Sequence, residues 1–199
     1  MNVSEVQIDE HREPDHDIEP HFHRRWSPRA MTGEAVSEEE LRRLFEAARW
    51  APSSYNEQPW RFFWARRGTE HWPLFEGFLN EFNHPWASKA GALLVLASKK
   101  TFSRDDKPNR VHGFDAGAAW VSLALQASAM GLVTHGMAGI HYDKIPGALG
   151  LSGDFEVQCM IAVGRPGEVD SLPEKMQGKE TSPSGRKTVD EISHEGPLS

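Results

Sequence analysis

The sequence predicts a mixed α and β domain, on three observations. Apolar residues recur at helical spacing directly after a helix-start signal at Ser37. Short apolar runs such as ALLVLAS and FEVQCMIAV have the length of buried strands. The segments follow one another as helix, strand, helix, strand, helix, helix, strand, without the regular βαβ alternation or the G-x-G-x-x-G turn of a dinucleotide fold.

Each element has its own reason. Residues 1 to 20 mix acids, histidines and prolines without an apolar face, and are expected as a flexible arm before a single domain from 21 to 199. Ser37 and Glu40 make an S-x-x-E capping box, with Val36 and Leu41 placed to staple the entry. Leu41, Leu44, Phe45 and Ala48 then share one helix face, and Pro52 ends it. WRFFWA reads as a strand whose unbroken hydrophobicity assigns no faces, and a helix is expected over about Glu70 to Phe82. ALLVLAS, Ala92 to Ser98, reads as a buried strand. In His112 to Gly131, small and apolar residues occupy every side of the wheel, so the helix is expected to be buried nearly all round, in the core or at a subunit interface, with Gly131 as its cap. A short helix near Lys144 to Leu149 and a strand over about Phe155 to Val163 follow. After Pro166, the tail offers few core candidates. No repeat of fixed period occurs.

Composition narrows the function. A chain of 199 residues with 38% hydrophobic and 26% charged residues suits one folded domain with polar tails. The formal net charge of −7 argues against a sequence-blind nucleic-acid binder. Cys159 stands alone, which excludes an intrachain disulfide and a multi-cysteine metal site; a buried structural thiol is expected. No apolar run approaches the roughly 20 residues of a spanning helix, and the N-terminus has no apolar signal-peptide core, so a soluble cytoplasmic protein without membrane partners is expected. His11, His16, His21 and His23 follow no compact ligand spacing, and no metal site is expected.

Two stretches carry chemistry. RRWSPR holds three arginines and a serine with no acid, a set that binds phosphate in a two-pronged manner or serves as a solvated basic turn. APSSYNEQPWRFFW, from Ala51, puts more hydrogen-bonding side chains into one turn than turning requires. Ser53, Ser54 and Asn56 there suit either a buried polar ligand or a helix cap and turn.

Taken together and in order, RRWSPRAM, AARWAPSSYNEQPWRFFW, DAGAAWVSLALQASAMGL, THGMAGI and AVGRPG resemble the nitroreductase family of flavin mononucleotide (FMN) enzymes, over roughly Arg24 to Gly167, with a weaker echo at SGRKTVDEI. The resemblance implies an α+β fold with a small, mostly antiparallel sheet flanked by helices. It also implies a homodimer that exchanges terminal segments, with two FMN sites at the interface. Positions matching Arg25, Trp26, Ser27 and Arg29 would border the flavin phosphate and ribityl side, joined by Arg186. Those matching Pro52, Ser53, Ser54, Asn56 and Gln58 would line the flavin pocket, the first four from the partner subunit. A loop from Gly136 through Met137 and Ala138 to Gly139 would pass the ring edge, and Asn83 would face the flavin or acceptor.

The implied reaction is hydride transfer from NADH or NADPH to FMN, then to an electron-poor small molecule such as a nitroaromatic or quinone, at one site used in turn, hence with ping-pong kinetics. No side-chain general acid is required, and none is named as catalytic. A flavin-binding protein of the same fold with another task, either reduction of a different metabolite or flavin sequestration or remodelling, is the alternative; a scaffold without cofactor conflicts with the intact arginine, serine and asparagine positions. Ala138 stands where some relatives have glutamate, and Ser184 where a lysine often precedes the arginine matched by Arg186. His112 and His135 flank the long helix, where helix-end and core roles are expected, and Tyr55 lies in the polar turn.

Overall fold

The computed structural model describes residues 1–197. In chain order the elements are α1 (Pro20–Arg24), α2 (Glu38–Arg49), β1 (Trp60–Arg66), α3 (Trp72–Glu76), α4 (His84–Ala87), β2 (Ala92–Lys99), α5 (His112–Ala129), β3 (Val133–Met137), α6 (Ile145–Leu149), β4 (Phe155–Gly164), α7 (Glu174–Glu180) and α8 (Val189–Ile192). Strands β1-β2-β4-β3 form one sheet, and every neighbouring pair is antiparallel. The fold is α+β.

The sheet separates two cores because side chains alternate across it. Leu94 and Leu96 of β2 join α2 and α5 on one face, with Leu41, Leu44, Ala119 and Leu123. Leu93 and Val95 point the other way, to Trp72, Phe75, Trp86 and Met176. Leu41, Leu44, Leu93 and Leu94 are fully enclosed, and each such side chain contributes about 1.5–3 kcal/mol. At the start of α2, Glu40 N–H donates to Ser37 Oγ at 3.2 Å and Ser37 N–H to the Glu40 carboxylate at 2.8 Å. Gly131, at φ +71, ends α5 in the left-handed region that favours glycine.

Four expectations change. The helix expected over Glu70 to Phe82 is confined to α3, which Pro73 opens and Gly77 closes; Leu79 then bridges Ile140. The segment around His135 is not all loop: β3 takes in Gly136 and Met137, because pairing with Ile161 and Met160 outweighs the low strand preference of glycine. Helix α5 buries only one side. Ala116, Ala119, Leu123 and Ala127 face the sheet, while Phe114 is 80% exposed and Val121 46% exposed, so within one chain these two side chains have no cover.

The terminal segments also hold core residues. Val3 N–H donates to Gly167 O at 3.0 Å, Gly167 N–H donates to Ala30 O at 3.0 Å, and Val3, Val169, Leu172 and Met176 are buried. A Cβ on Gly167 would lie 2.6 Å from the Met31 carbonyl carbon, so this crossing of three segments admits only glycine. Scattered apolar residues in polar tails have no period, and their burial follows from where the chain crosses.

Candidate functional site

After α1, Arg25 to Ala30 runs extended between β3 and α7. The side chains of Arg25, Trp26, Ser27 and Arg29 line a cavity of about 550 Å³ with those of Arg12, His135, Lys179, Glu180 and Arg186. Four arginines therefore meet in one place: Arg12, Arg25, Arg29 and Arg186. Arg25 Nη1 donates to Ser27 Oγ at 3.2 Å. Burial, and then the neighbouring Arg186, pull the Arg25 pKa below its ordinary value. Burial, and then Arg186 and Arg25, do the same to Arg12. Guanidinium still carries its charge at neutral pH. Among the described residues no carboxylate forms an ion pair with Arg12, Arg25 or Arg186.

Arg29 is held differently. Its Nη1 lies 3.3 Å from Glu180 Oε1, and its backbone N–H donates to Glu180 Oε2 at 2.7 Å. Its Nε is buried without a partner, and its guanidinium stands 5.8 Å from the Trp86 ring centre. His135 packs on the same Trp86, with ring centres 4.6 Å apart. Burial, and then the Arg29 cation, push the His135 pKa down from the ordinary 6.5 to about 4. The neutral ring, donating from Nδ1 to Pro28 O at 3.3 Å, keeps Nε2 as an acceptor.

Pro52, Ser53, Ser54, Asn56 and Gln58 do not reach this cavity. Ser53 Oγ accepts from Gln58 N–H at 2.9 Å, and the Gln58 side chain donates to Asn56 O at 3.0 Å, so these two polar groups shape the turn itself. Ser54 N–H donates to Asp115 at 3.1 Å, which anchors the turn on the first turn of α5. Tyr55, Asn56 and Gln58 all have φ between 51° and 55°, an unusual concentration of left-handed backbone outside glycine. The side chains of Ser54 and Asn56 bond no other described residue, and Tyr55 is 76% exposed under the Arg104 guanidinium.

Asn83 is not among the residues lining this cavity. It is 6% exposed; its Nδ2 donates to Gly139 O at 2.8 Å and its Oδ1 accepts from Trp86 Nε1 at 3.2 Å. Its amide joins α4 to the segment after β3. The Met137 side chain is buried in the core and Ala138 is exposed beside it. A Cβ on Gly139 would lie 2.8 Å from Asn83 Nδ2, so glycine permits the close approach.

The nitroreductase family model matches residues 23–76 and 69–165. The chain belongs to the nitroreductase family. A solved structure described as an oxidoreductase containing FMN shares 39% identity, a TM-score of 0.90, and 94% of this chain with 96% of its own. A nitroreductase described in complex with FMN, from Desulfovibrio desulfuricans, shares 26% identity and a TM-score of 0.70, over 92% of this chain and all of its own. The major NAD(P)H-flavin oxidoreductase of Aliivibrio fischeri is 32% identical over 93 residues, which is 46% of this chain and 41% of that protein.

Within this nitroreductase-family fold, Arg25, Trp26, Ser27, Arg29 and Arg186 share one cavity; the turn and Asn83 lie outside it. Sequence reading passes over Arg12, Lys179 and Glu180, because each reaches the cavity from a polar tail. Glu180 is the one with a faint signal. It lies four residues after Met176, on the same face of a helix, and both are buried.

Proposed function

We propose that the chain is an FMN-dependent oxidoreductase carrying hydride from NADH or NADPH to an electron-poor small molecule, such as a nitroaromatic or quinone. The observation that carries this reading is the arginine cavity. Arg12, Arg25 and Arg186 lack carboxylate partners among the described residues, and the buried Arg29 Nε lacks any partner. A phosphate dianion would answer both deficits. About 550 Å³ is within the range of cofactor sites.

When bound, FMN supplies two-electron chemistry, accepting hydride at N5 and returning it to a second substrate. The chain's own part is binding and orientation. Arg25, Arg29 and Arg186 would hold the phosphate, with Ser27 and the neutral His135 Nε2 available to ribityl hydroxyls. Backbone N–H groups near Gly139 are suited to the ring edge. The relatives described with FMN and as NAD(P)H-flavin oxidoreductases support the cofactor and the hydride source.

The uncovered face of α5 supports a homodimer. Phe114, Val121 and the exposed Trp50 would pack against a second copy. The unspent side chains of Ser54 and Asn56 would then complete the pocket of the other subunit. No helix among the described residues is long and apolar enough to cross a membrane.

A visible spectrum of the purified protein tests the proposal, followed by anaerobic NADH and then NADPH. A flavin spectrum that bleaches with either is expected. Flavin that neither nucleotide bleaches would remove the hydride half-reaction, and failure to take up FMN on reconstitution would remove the cofactor reading.

A further inference from the structure

We propose that Arg12, carried by the N-terminal segment, is a direct ligand of the phosphate monoester in the arginine cavity and sets its preference for a phosphorylated over an unphosphorylated flavin. This rests on the FMN reading above. It adds a residue outside the family match, which begins at residue 23.

The geometry is specific to one guanidinium. Arg12 Nε donates to Ser184 O at 3.0 Å, and Nη1 donates to His23 O at 2.8 Å and to Arg25 O at 3.0 Å. These carbonyls belong to the C-terminal tail and to the segment from His23 into RRWSPR, so one side chain ties the N-terminal segment to two others at the cavity wall. They take the Nε and Nη1 donors and leave those of Nη2. Among the described residues, Nη2 donates to nothing, in a side chain that lines the cavity beside Arg25 and Arg186.

Charge indicates what Nη2 would meet. Arg24, Arg42 and Arg165 each face a carboxylate; Arg12, Arg25 and Arg186 do not, although the chain carries a net charge of −7. Carbonyl dipoles hold Arg12 in position without cancelling its charge. Partly buried like charges repel, and the pKa values of Arg12 and Arg25 are lowered first by burial and then by the neighbouring cations. A dianion turns the same arrangement into attraction, and several guanidinium forks suit the oxygens of a phosphate monoester. The neutral His135 adds no further cation.

The test compares FMN with riboflavin on the full chain. Dissociation constants and release rates are read from recovery of free-flavin fluorescence, for wild type, Arg12→Gln and Arg12→Lys. Arg12→Gln is expected to weaken FMN by about 10- to 100-fold and to leave riboflavin nearly unchanged, with Arg12→Lys in between. Inorganic phosphate should compete with FMN on the wild type and compete less well on Arg12→Gln. Unchanged FMN affinity in Arg12→Gln overturns the proposal while wild-type FMN binding keeps the cofactor reading. Equal weakening of FMN and riboflavin also overturns it, since only the carbonyl clamp would then matter. A wild type with no preference for FMN over riboflavin removes the phosphate site itself, and this inference with it.

Discussion

Glu180, 1% exposed, accepts the backbone N–H of Arg29 at 2.7 Å and pairs with its guanidinium at 3.3 Å. The last residue of α7 thus fixes the segment that carries two of the cavity's cations, Arg25 and Arg29. Arg29 therefore has two tasks, and removing it would leave a buried carboxylate without its charge partner. Glu180→Ala is expected to cost about 3–5 kcal/mol, as for one side of a buried pair. Glu180→Gln keeps the shape and should cost about 1–3 kcal/mol. Urea unfolding of both variants measures this, and wild-type stability in Glu180→Ala would contradict it.

Arg25 is the cleaner probe of the anion site, because no carboxylate depends on it. Arg25→Ala should leave the far-UV CD spectrum and the stability of the cofactor-free protein unchanged or slightly improved, through relief of repulsion from Arg186. FMN affinity should fall by about 10- to 100-fold. Full flavin absorbance in purified Arg25→Ala would sink the assignment.

His135 gives the stability a pH dependence of defined sign. Its folded pKa, about 4, lies below the ordinary 6.5, so between these values the unfolded chain binds the extra proton. Its contribution is complete above about pH 7, declines as pH falls through 6.5, and is exhausted below about 4. At about 1.4 kcal/mol per pH unit, the window spans about 3 kcal/mol. Urea midpoints at several pH values should show this slope in wild type and a shallower one in His135→Gln. Parallel profiles would mean that His135 does not titrate as described.

Asn83 is expected to matter for stability and not for the cofactor. Asn83→Ala leaves the Gly139 carbonyl and the Trp86 indole N–H without their partner, at about 1–3 kcal/mol for each buried group. Thermal unfolding should register the loss, with FMN affinity of the folded protein nearly unaltered. A variant with native stability and impaired flavin binding would restore the ligand role expected from sequence.

The uncovered face of α5 predicts the assembly state. Phe114→Asp and Val121→Asp together should lower the sedimentation coefficient to that of a monomer and release flavin with it. A monomer that retains stoichiometric flavin would contradict the shared site.

Local chemistry in the sequence determined the elements that close within a few residues. The Ser37 capping box, Gly131 at the end of α5 and the apolar runs of β2 and β4 need no distant partner to be recognised. RRWSPR likewise stands out locally, since three arginines without an acid are conspicuous in an acidic chain. Only tertiary structure decided what long-range crossings impose. β3 exists because β4 offers it a partner, and Asn83 is consumed by Gly139 and Trp86. The cavity acquires Arg12, Lys179 and Glu180 from polar tails where burial has no period. A contact such as Arg12 to Ser184 spans 172 residues, and no local pattern encodes it, because its energy arises only after the sheet and the two cores have brought both ends of the chain together.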